Sequence, residues 1–153
     1  MVGNGMTPAG IELSEPSSPH ELEDYFRFRW RHLRAPWKQP PGSEQDALED
    51  VAHHVTARDP SGEIVGVGRI HFPSAGTGQI RYMATEDEFR GRGVGSAIVA
   101  ELERIATAHG ARVVVLNARE GAVLFYEGLG YVVVGDAPTL FGVIGHRKME
   151  KVL

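Results

Sequence analysis

The chain has 153 residues, a formal net charge of −4 at pH 7 and no cysteine. This length suits one domain with one core, and the acidic balance weighs against nucleic acid as the main ligand. The lack of cysteine excludes disulfides, cysteine nucleophiles and cysteine-ligated zinc, and it favours a cytoplasmic location. No apolar run approaches the roughly 18 residues of a membrane-spanning helix, so we expect no membrane association. We expect residues 1–10 to form a flexible tail and residues 11–153 a single domain.

The first half of the chain predicts helices followed by an antiparallel sheet. Residues 11–13 favour a strand, and Ser18 is the expected cap of a helix that begins at Pro19. Prolines predict a loop over 35–43, and Ser43 is the expected cap of a second, weaker helix with Ala47, Leu48, Val51 and Ala52 on one face. Short links then join three predicted strands in a β-meander, at 54–57, 64–72 and 79–84.

The second half predicts a crossover around the strongest helix of the chain. Apolar residues at 98, 102 and 105 keep helical spacing, and Gly110 ends the predicted helix 94–109. The continuous apolar run 113–116 predicts a strand buried on both faces. A short helix and two strands follow, at 122–129, 131–134 and 146–153. The order predicts a mixed α/β sheet with one parallel crossover.

A glycine-rich loop at residues 89–96 stands between a strand and this helix. Its glycines allow close approach of the backbone, and the helix N-terminus adds partial positive charge, so the loop is typical of a phosphate or pyrophosphate site. A P-loop would need a lysine after Gly95, where Ser96 stands. A dinucleotide fingerprint would need GxGxxG, whereas Gly91, Gly93 and Gly95 give GxGxG.

A third pattern, [RQ]-x-x-G-x-[GA], fits at Arg90, Gly93 and Gly95, and the chain resembles the GNAT family of N-acetyltransferases that carries it. The resemblance extends to an acidic-aromatic step at 82–89, a buried strand ending at Asn117 and the Phe-Tyr-Glu-x-Leu-Gly-Tyr segment at 125–131. A proline usual in the family before the loop is missing at 85–87, which should alter the entry to the loop without removing its amides.

The resemblance implies a GNAT fold, in which the sheet splays between the strand at Gln79 and the strand at Val113 to admit acetyl-CoA. It implies an N-acetyltransferase in which an acceptor amine attacks the thioester directly, and it makes a homodimer plausible. Met83, Ala84 and Thr85 would hold the pantetheine arm through their backbone. The pyrophosphate would lie on Arg90, Gly91, Arg92, Gly93, Val94, Gly95 and Ser96. Asn117 and Tyr126 would lie near the thioester, with Tyr126 as the acid for the leaving thiolate.

The residues also offer candidates on the acceptor side. His146 opens the last predicted strand and is our first choice as the base, ahead of Glu120 and Glu44. The acids at 44, 46, 49 and 50 are either a solvated helix face or an attraction for a cationic amine. Adjacent His53 and His54 lack metal-ligand spacing, and we expect no metal site. Trp37 in its proline-rich loop is either structural or part of the acceptor pocket.

Three other functions stay open at this point. The chain could bind acyl-CoA as a sensor without turnover, or bind a protein partner with a loop that is only structural. A nucleotide-binding oxidoreductase is disfavoured by the glycine spacing. Binding of acetyl-CoA and transfer of its acetyl group to an amine would separate these classes.

Overall fold

The computed structural model of the protein describes residue 8 and residues 10–153, so the predicted tail at 1–10 lies largely outside the described residues. Within these described residues, seven strands form one sheet in the order β1-β2-β3-β4-β5-β7-β6. The strands are β1 (Glu12–Ser14), β2 (His53–Arg58), β3 (Ile64–Ser74), β4 (Thr77–Thr85), β5 (Val113–Arg119), β6 (Val132–Leu140) and β7 (Ile144–Val152). Among the described residues, no helix is both long and apolar enough to cross a membrane.

The pairing of β4 with β5 is parallel, and the other neighbouring strands pair antiparallel. The predicted meander of β2, β3 and β4 and the predicted crossover are therefore confirmed. The connection from β4 to β5 runs through a loop-and-helix segment that contains the glycine loop. Because the crossover places this helix against the sheet, the glycine loop lies at the ends of the central strands.

In the part of the chain that the structure describes, three α-helices flank the sheet: α1 (Pro19–Leu33), α2 (Val94–Ala108) and α3 (Val123–Glu127). Single turns of 3-10 helix lie at Ala35–Trp37, Asp87–Phe89 and Glu120–Ala122. The N-terminus of α1 has the predicted cap: Glu21 N donates to Ser18 Oγ at 3.1 Å, and Ser18 N donates to Glu21 Oε1 at 3.2 Å. This reciprocal pair fixes where α1 begins.

The two long helices pack on opposite faces of β3, because successive residues of a strand point to opposite faces. Gly66 and Gly68 face α2, and a Cβ at either position would lie within 2.8 Å of Ile98. The missing side chains therefore let α2 pack close to the sheet. Val67 faces the other way and packs in a cluster with Tyr25 and Phe28 of α1.

The second helix predicted after Ser43 is wrong: residues 43–52 form a chain of turns. The carboxylates that a helix would leave exposed to solvent instead form hydrogen bonds and ion pairs, some with neighbouring residues and some with residues distant in the sequence. Leu48 N donates to Asp46 Oδ1 at 2.9 Å, and Asp46 N donates to Glu49 Oε2 at 3.0 Å. Side chains that bond to nearby backbone compete with helical hydrogen bonds, and here they prevail over the apolar spacing.

Candidate active site

A gap opens inside the sheet where β4 and β5 part. Thr77 pairs with Val113 and Ile80 with Leu116, which ends the pairing, although the two strands continue to Thr85 and Arg119. Two adjoining cavities open at this gap, a smaller one of about 360 Å³ and a larger one of about 920 Å³. The splayed sheet is thus present where it was expected.

The glycine loop lines the larger cavity. Gly91 (φ 74°) and Gly93 (φ 85°) adopt the left-handed backbone that favours glycine. Gly93 is the N-cap of α2, and no side chain among the described residues caps this end. The amides of the first turn therefore keep their hydrogen-bonding capacity, and the helix dipole makes this end attractive to an anion. A Cβ at Gly95 would lie 3.1 Å from Phe125 Cζ, so the cradle is narrow there.

The expected pantetheine segment, Met83, Ala84 and Thr85, lines the larger cavity from β4. A β-bulge precedes it: Val67 pairs with Ala84 but Arg69 pairs with Arg81. Tyr82 at the bulge has φ 61°, a conformation that costs a non-glycine residue about 1–2 kcal/mol. The bulge bends β4 at the place where it leaves β5, so it re-aims this backbone at the gap.

Tyr126 lines both cavities and is only 6% exposed. Its ring packs edge-on against Phe125 and Tyr131, with centroid distances of 4.9 Å and 5.8 Å. Burial raises the pKa of its hydroxyl, and the charge of Arg119 opposes this only in part. The hydroxyl is therefore protonated at neutral pH and can donate a proton where the cavities meet.

His146 lines the smaller cavity and pairs with Arg119 across β5 and β7. Its Nδ1 lies 2.9 Å from the Ile144 carbonyl oxygen. Since a carbonyl oxygen only accepts hydrogen bonds, Nδ1 carries the proton of the neutral ring and Nε2 is left as an acceptor. Asn117 also lines the smaller cavity, and Trp37 lines both.

Two comparisons bear on which family has this arrangement. Residues 20–131 match the model of the acetyltransferase (GNAT) family. The chain is also 32% identical over 131 residues to an uncharacterized N-acetyltransferase, YjcF, of Bacillus subtilis, a match that covers 86% of this chain and 92% of the relative. The chain belongs to the GNAT family of acetyltransferases. The resemblance seen in the sequence and the expected enzyme class are thereby confirmed.

Solved structures share the GNAT fold over nearly the whole chain. An acyl-CoA N-acyltransferase from Pseudomonas aeruginosa has a TM-score of 0.77 at 22% identity, covering 93% of this chain and 98% of that one. An aminoglycoside 6'-N-acetyltransferase complexed with coenzyme A has a TM-score of 0.75 at 20% identity, covering 92% and 96%. At these identities the likeness shows the fold alone.

Some residues expected at this GNAT site lie elsewhere or contribute differently. The Val94 side chain is buried in the core beneath the loop, and the Arg92 guanidinium packs on the Phe89 ring at 5.5 Å. Glu44 is buried and accepts hydrogen bonds from Gly42 N and Gln45 Nε2, which leaves it outside both cavities. Glu120 lines the larger cavity only. His146 is therefore the one of the three base candidates that lines the smaller cavity.

Three arginines of the smaller cavity were not predicted from the sequence: Arg34 at the end of α1, Arg81 on β4 and Arg119 on β5. Tyr82 lies among them, with the guanidinium carbons of Arg81 and Arg34 at 4.5 Å and 5.6 Å from its ring centroid. No local motif marks these residues, because they come together only through the packing of α1 on the sheet.

A buried ion network stands behind this wall of the cavity. The side chains of Arg29 and Arg69 are fully buried, and both donate to Glu49 Oε2, at 2.8 Å and 3.0 Å. Arg69 also donates to both oxygens of Asp46, at 2.7 Å and 3.0 Å. Burial disfavours the Asp46 carboxylate, but the bond and charge of Arg69 outweigh it and lower the pKa of Asp46 to about 2. Two acids of the segment 43–52, Asp46 and Glu49, are thus neutralised by arginines of the protein itself.

The adjacent histidines 53 and 54 are also accounted for by packing. Tyr25 Oη lies 2.8 Å from His54 Nδ1, and His54 Nε2 lies 2.9 Å from the Glu49 carbonyl oxygen. Since the carbonyl only accepts, Nε2 donates to it and Nδ1 accepts from the tyrosine hydroxyl. The ring of His53 packs against Phe72 and His109 instead. Within the described residues, no group of three possible ligands could hold a metal ion.

Proposed function

We propose that the protein transfers the acetyl group of acetyl-CoA to an acceptor amine by direct attack. One observation carries the proposal: the uncapped first turn of α2 and the free end of β4 line one cavity, which adjoins a second cavity at Tyr126. The larger cavity has the chemistry for a pyrophosphate and an extended arm. The smaller cavity has room for an amine.

The residues present fit acetyl-CoA in the larger cavity. Gly93, Gly95 and Ser96 would offer backbone amides to the pyrophosphate, since this is where the helix end leaves them without internal acceptors. The backbone from Met83 to Thr85 would hold the pantetheine arm along the open edge of β4, with Asn117 across the gap. When bound, acetyl-CoA supplies a thioester carbonyl as the electrophile.

The transfer forms a bond from the amine nitrogen to the acetyl carbon and breaks the bond from that carbon to sulfur. The sulfur departs as a thiolate, whose parent thiol has a pKa of about 8.5 with cysteine as the guide. Tyr126 would donate its proton to this sulfur, because its hydroxyl is protonated and lies between the two cavities. A backbone amide near Met83 would polarise the carbonyl.

The amine must lose a proton before it attacks, because a lysine-like ammonium has a pKa of about 10.4. His146 would accept this proton at Nε2, while its Nδ1–H bond to the Ile144 carbonyl holds the ring in place. Holding the amine against the thioester supplies a further, large part of the rate.

The proposal is tested by binding and by turnover, measured separately. Calorimetry should detect acetyl-CoA, and S-acetylpantetheine, which lacks the pyrophosphate, should bind at least about ten-fold more weakly if the glycine loop holds that group. Thiol release with a panel of amines should then show transfer. Equal affinity for the two thioesters would contradict the loop assignment. Tight binding of acetyl-CoA without thiol release for any amine would instead identify an acyl-CoA-binding protein without turnover.

A further inference from the structure

The smaller cavity is cationic, and this bears on which amines it accepts. Among the described residues, those lining it include Arg34, Arg81 and Arg119 but no aspartate or glutamate. Asp46 and Glu49, behind its wall, are bonded to Arg69, Arg29 and, for Asp46, also Arg81, and they do not line it. A ligand in this cavity therefore meets a positive field that Asp46 compensates only at Arg81.

Arg34 contributes to this field from a buried position. The residue is 7% exposed, and its Nε and Nη1 donate to the carbonyl oxygens of Ser43 and Leu33, both at 3.0 Å. No carboxylate in the described part of the chain forms an ion pair with it, and Glu44 acts on it only from beyond ion-pair distance. A buried guanidinium without a counter-ion is costly, and protein charges in this position are ordinarily paired.

The other two arginines keep part of their charge available. Arg81 donates to Asp46 Oδ2 at 3.2 Å, but Asp46 is shared with Arg69, and the Arg81 side chain is 45% exposed. Arg119 is exposed and stands next to His146 in the register of β5 and β7. An anion placed between these residues would gain from all three guanidinium groups.

We propose, resting on the transferase function above, that the acceptor is a small amine that also carries an anionic group, a carboxylate or a phosphate, which pairs with Arg34 in the smaller cavity. The planar guanidinium suits either oxyanion through paired N–H donors. The volume of about 360 Å³ admits a small molecule.

The same charges help the chemistry. Like charges disfavour one another, so three guanidinium groups lower the tendency of a nearby amine to hold its proton. The cavity thus favours the uncharged nucleophile that His146 would otherwise have to generate. It disfavours acceptors with several ammonium groups, whose charges no described acid in the cavity would balance.

The experiment measures binding of matched amines to protein saturated with coenzyme A, so that it does not depend on the reactivity of each amine. The carboxylate arm compares β-alanine with β-alaninamide, and the phosphate arm compares phosphoethanolamine with ethanolamine. Spermidine represents polycations. We expect the anionic member of at least one pair to bind at least about ten-fold more tightly than its neutral partner.

Three variants locate the effect. Arg34→Gln should abolish the preference for the anion. Arg27→Gln is the control, because Arg27 lies on the same helix, pairs with Glu23 and Asp24 on the surface and lines neither cavity. Since Arg34 also holds two carbonyl groups, Arg81→Gln is measured in parallel: its side chain is part-exposed, and Asp46 keeps Arg69 as a partner. It should weaken the preference if Arg34→Gln fails to fold.

Equal or tighter binding of both neutral partners, or preference for spermidine, would overturn the inference. The inference would also be wrong if Arg34→Gln or Arg81→Gln kept the full preference for the anionic amine. This result counts only for a variant whose acetyl-CoA affinity equals that of the parent. The transferase proposal fails by a different result, namely no thiol release with any amine, charged or neutral. Acetylation of spermidine in preference to the acids would leave the transferase standing and remove the anionic acceptor.

Discussion

The two sides of the cleft are built by different means. On the cofactor side, the glycine loop and α2 present backbone amides over an apolar core, in which Val94, Ile98 and Leu102 are fully buried. On the acceptor side, α1 and the turns at 43–52 are joined to the sheet by charged side chains, with Arg29 and Arg69 buried at the centre. Backbone geometry thus forms the half of the site that we assign to acetyl-CoA, and side-chain charge forms the half that we assign to the acceptor.

Because of this difference, the two halves of the site tolerate different amino-acid substitutions. Backbone amides are present whatever the side chains are, provided that the glycines stay, so the cofactor side depends on a few positions. On the acceptor side, Arg29 and Arg69 share Glu49, and Arg69 also pairs with Asp46, so the loss of one side chain leaves buried charges with fewer partners. The five predictions below use variants that act on one side and leave the other as a control.

The largest effect is expected at the centre of the ion network. Arg69→Met leaves Asp46 and Glu49 with fewer partners, and breaking such a buried pair costs about 3–5 kcal/mol of unfolding free energy. Chemical denaturation measures this cost, with exposed Arg27→Met as the control. The acetyl-CoA affinity of the folded variant should stay near that of the parent. A large loss of affinity would mean that the two sides of the cleft are not separate.

Tyr126 lies where the two sides meet. Tyr126→Phe should lower kcat by roughly 10²-fold, or about 2.7 kcal/mol, with acetyl-CoA affinity nearly unchanged, because one proton donor is lost and little packing. The matched control is Tyr131→Phe, which removes a hydroxyl that donates to Glu103 Oε2 at 2.8 Å. That variant should lose stability and keep its kcat. A kcat for Tyr126→Phe within a few-fold of the parent would assign this hydroxyl to structure alone.

Low pH should lower the stability of the folded protein through protonation of Asp46, which lies on the acceptor side of the cleft. The pKa of Asp46 lies at about 2 in the folded protein against an ordinary value of 3.8, so the folded state binds fewer protons between these values. This contribution to stability, about 2 kcal/mol, is present above pH 4 and is lost as the pH falls towards 2. Denaturation curves from pH 6 to pH 2 measure it. Asp46→Asn should start less stable and lose less over that range; a parallel pair of curves would rule Asp46 out as the source.

A single methyl group should affect the cofactor side. Gly95→Ala places a Cβ 3.1 Å from Phe125 Cζ in the narrow cradle and should weaken acetyl-CoA binding by about ten-fold, or 1.4 kcal/mol. Gly135→Ala serves as the control, since its Cβ would meet nothing within 4 Å. Gly93 is a poorer probe, because its φ of 85° strains any side chain regardless of the ligand. Unchanged affinity in a stable Gly95→Ala protein would argue against phosphate binding at this loop.

The smallest effect concerns the shape of a pH profile rather than a free energy. His146→Gln should flatten the fall in kcat/KM on the acidic side, because protonation of the base causes that fall. The control is His109→Gln, since His109 makes a similar Nδ1 bond, to the Ile105 carbonyl oxygen at 2.9 Å, far from both cavities. An acidic limb that persists in His146→Gln would assign the proton transfer to another group or to water.

The same contrast explains which parts could be predicted from the sequence. The loop, its left-handed glycines and the stripe of α2 are contiguous, and their physical requirements can be read from neighbouring residues. The start of α1 could be predicted from the neighbouring residues Ser18 and Glu21 for the same reason. The helix predicted at 43–52 failed because Asp46 and Glu49 find partners at Arg29 and Arg69, which lie far away along the chain.

Arg34, Arg81 and Tyr82 could not be predicted as a group for that reason as well. Each is unremarkable in its own segment, and only the packing of α1 against the bulge in β4 brings them to one cavity. The positions of Tyr126 and His146 at the cavities agree with what the sequence led us to expect, but their roles in catalysis stay predictions.

The parting of β4 from β5 also has a consequence for hydrogen exchange. Between Thr77 and Ile80 the two strands pair with each other, and beyond Ile80 each keeps only its outer neighbour. The inward-facing amides of residues 81–85 should therefore exchange with deuterium faster than those of 77–80, although both belong to one central strand. A ligand lying along that edge would slow the exchange of these amides. Their exchange rates would therefore indicate whether the cleft is occupied.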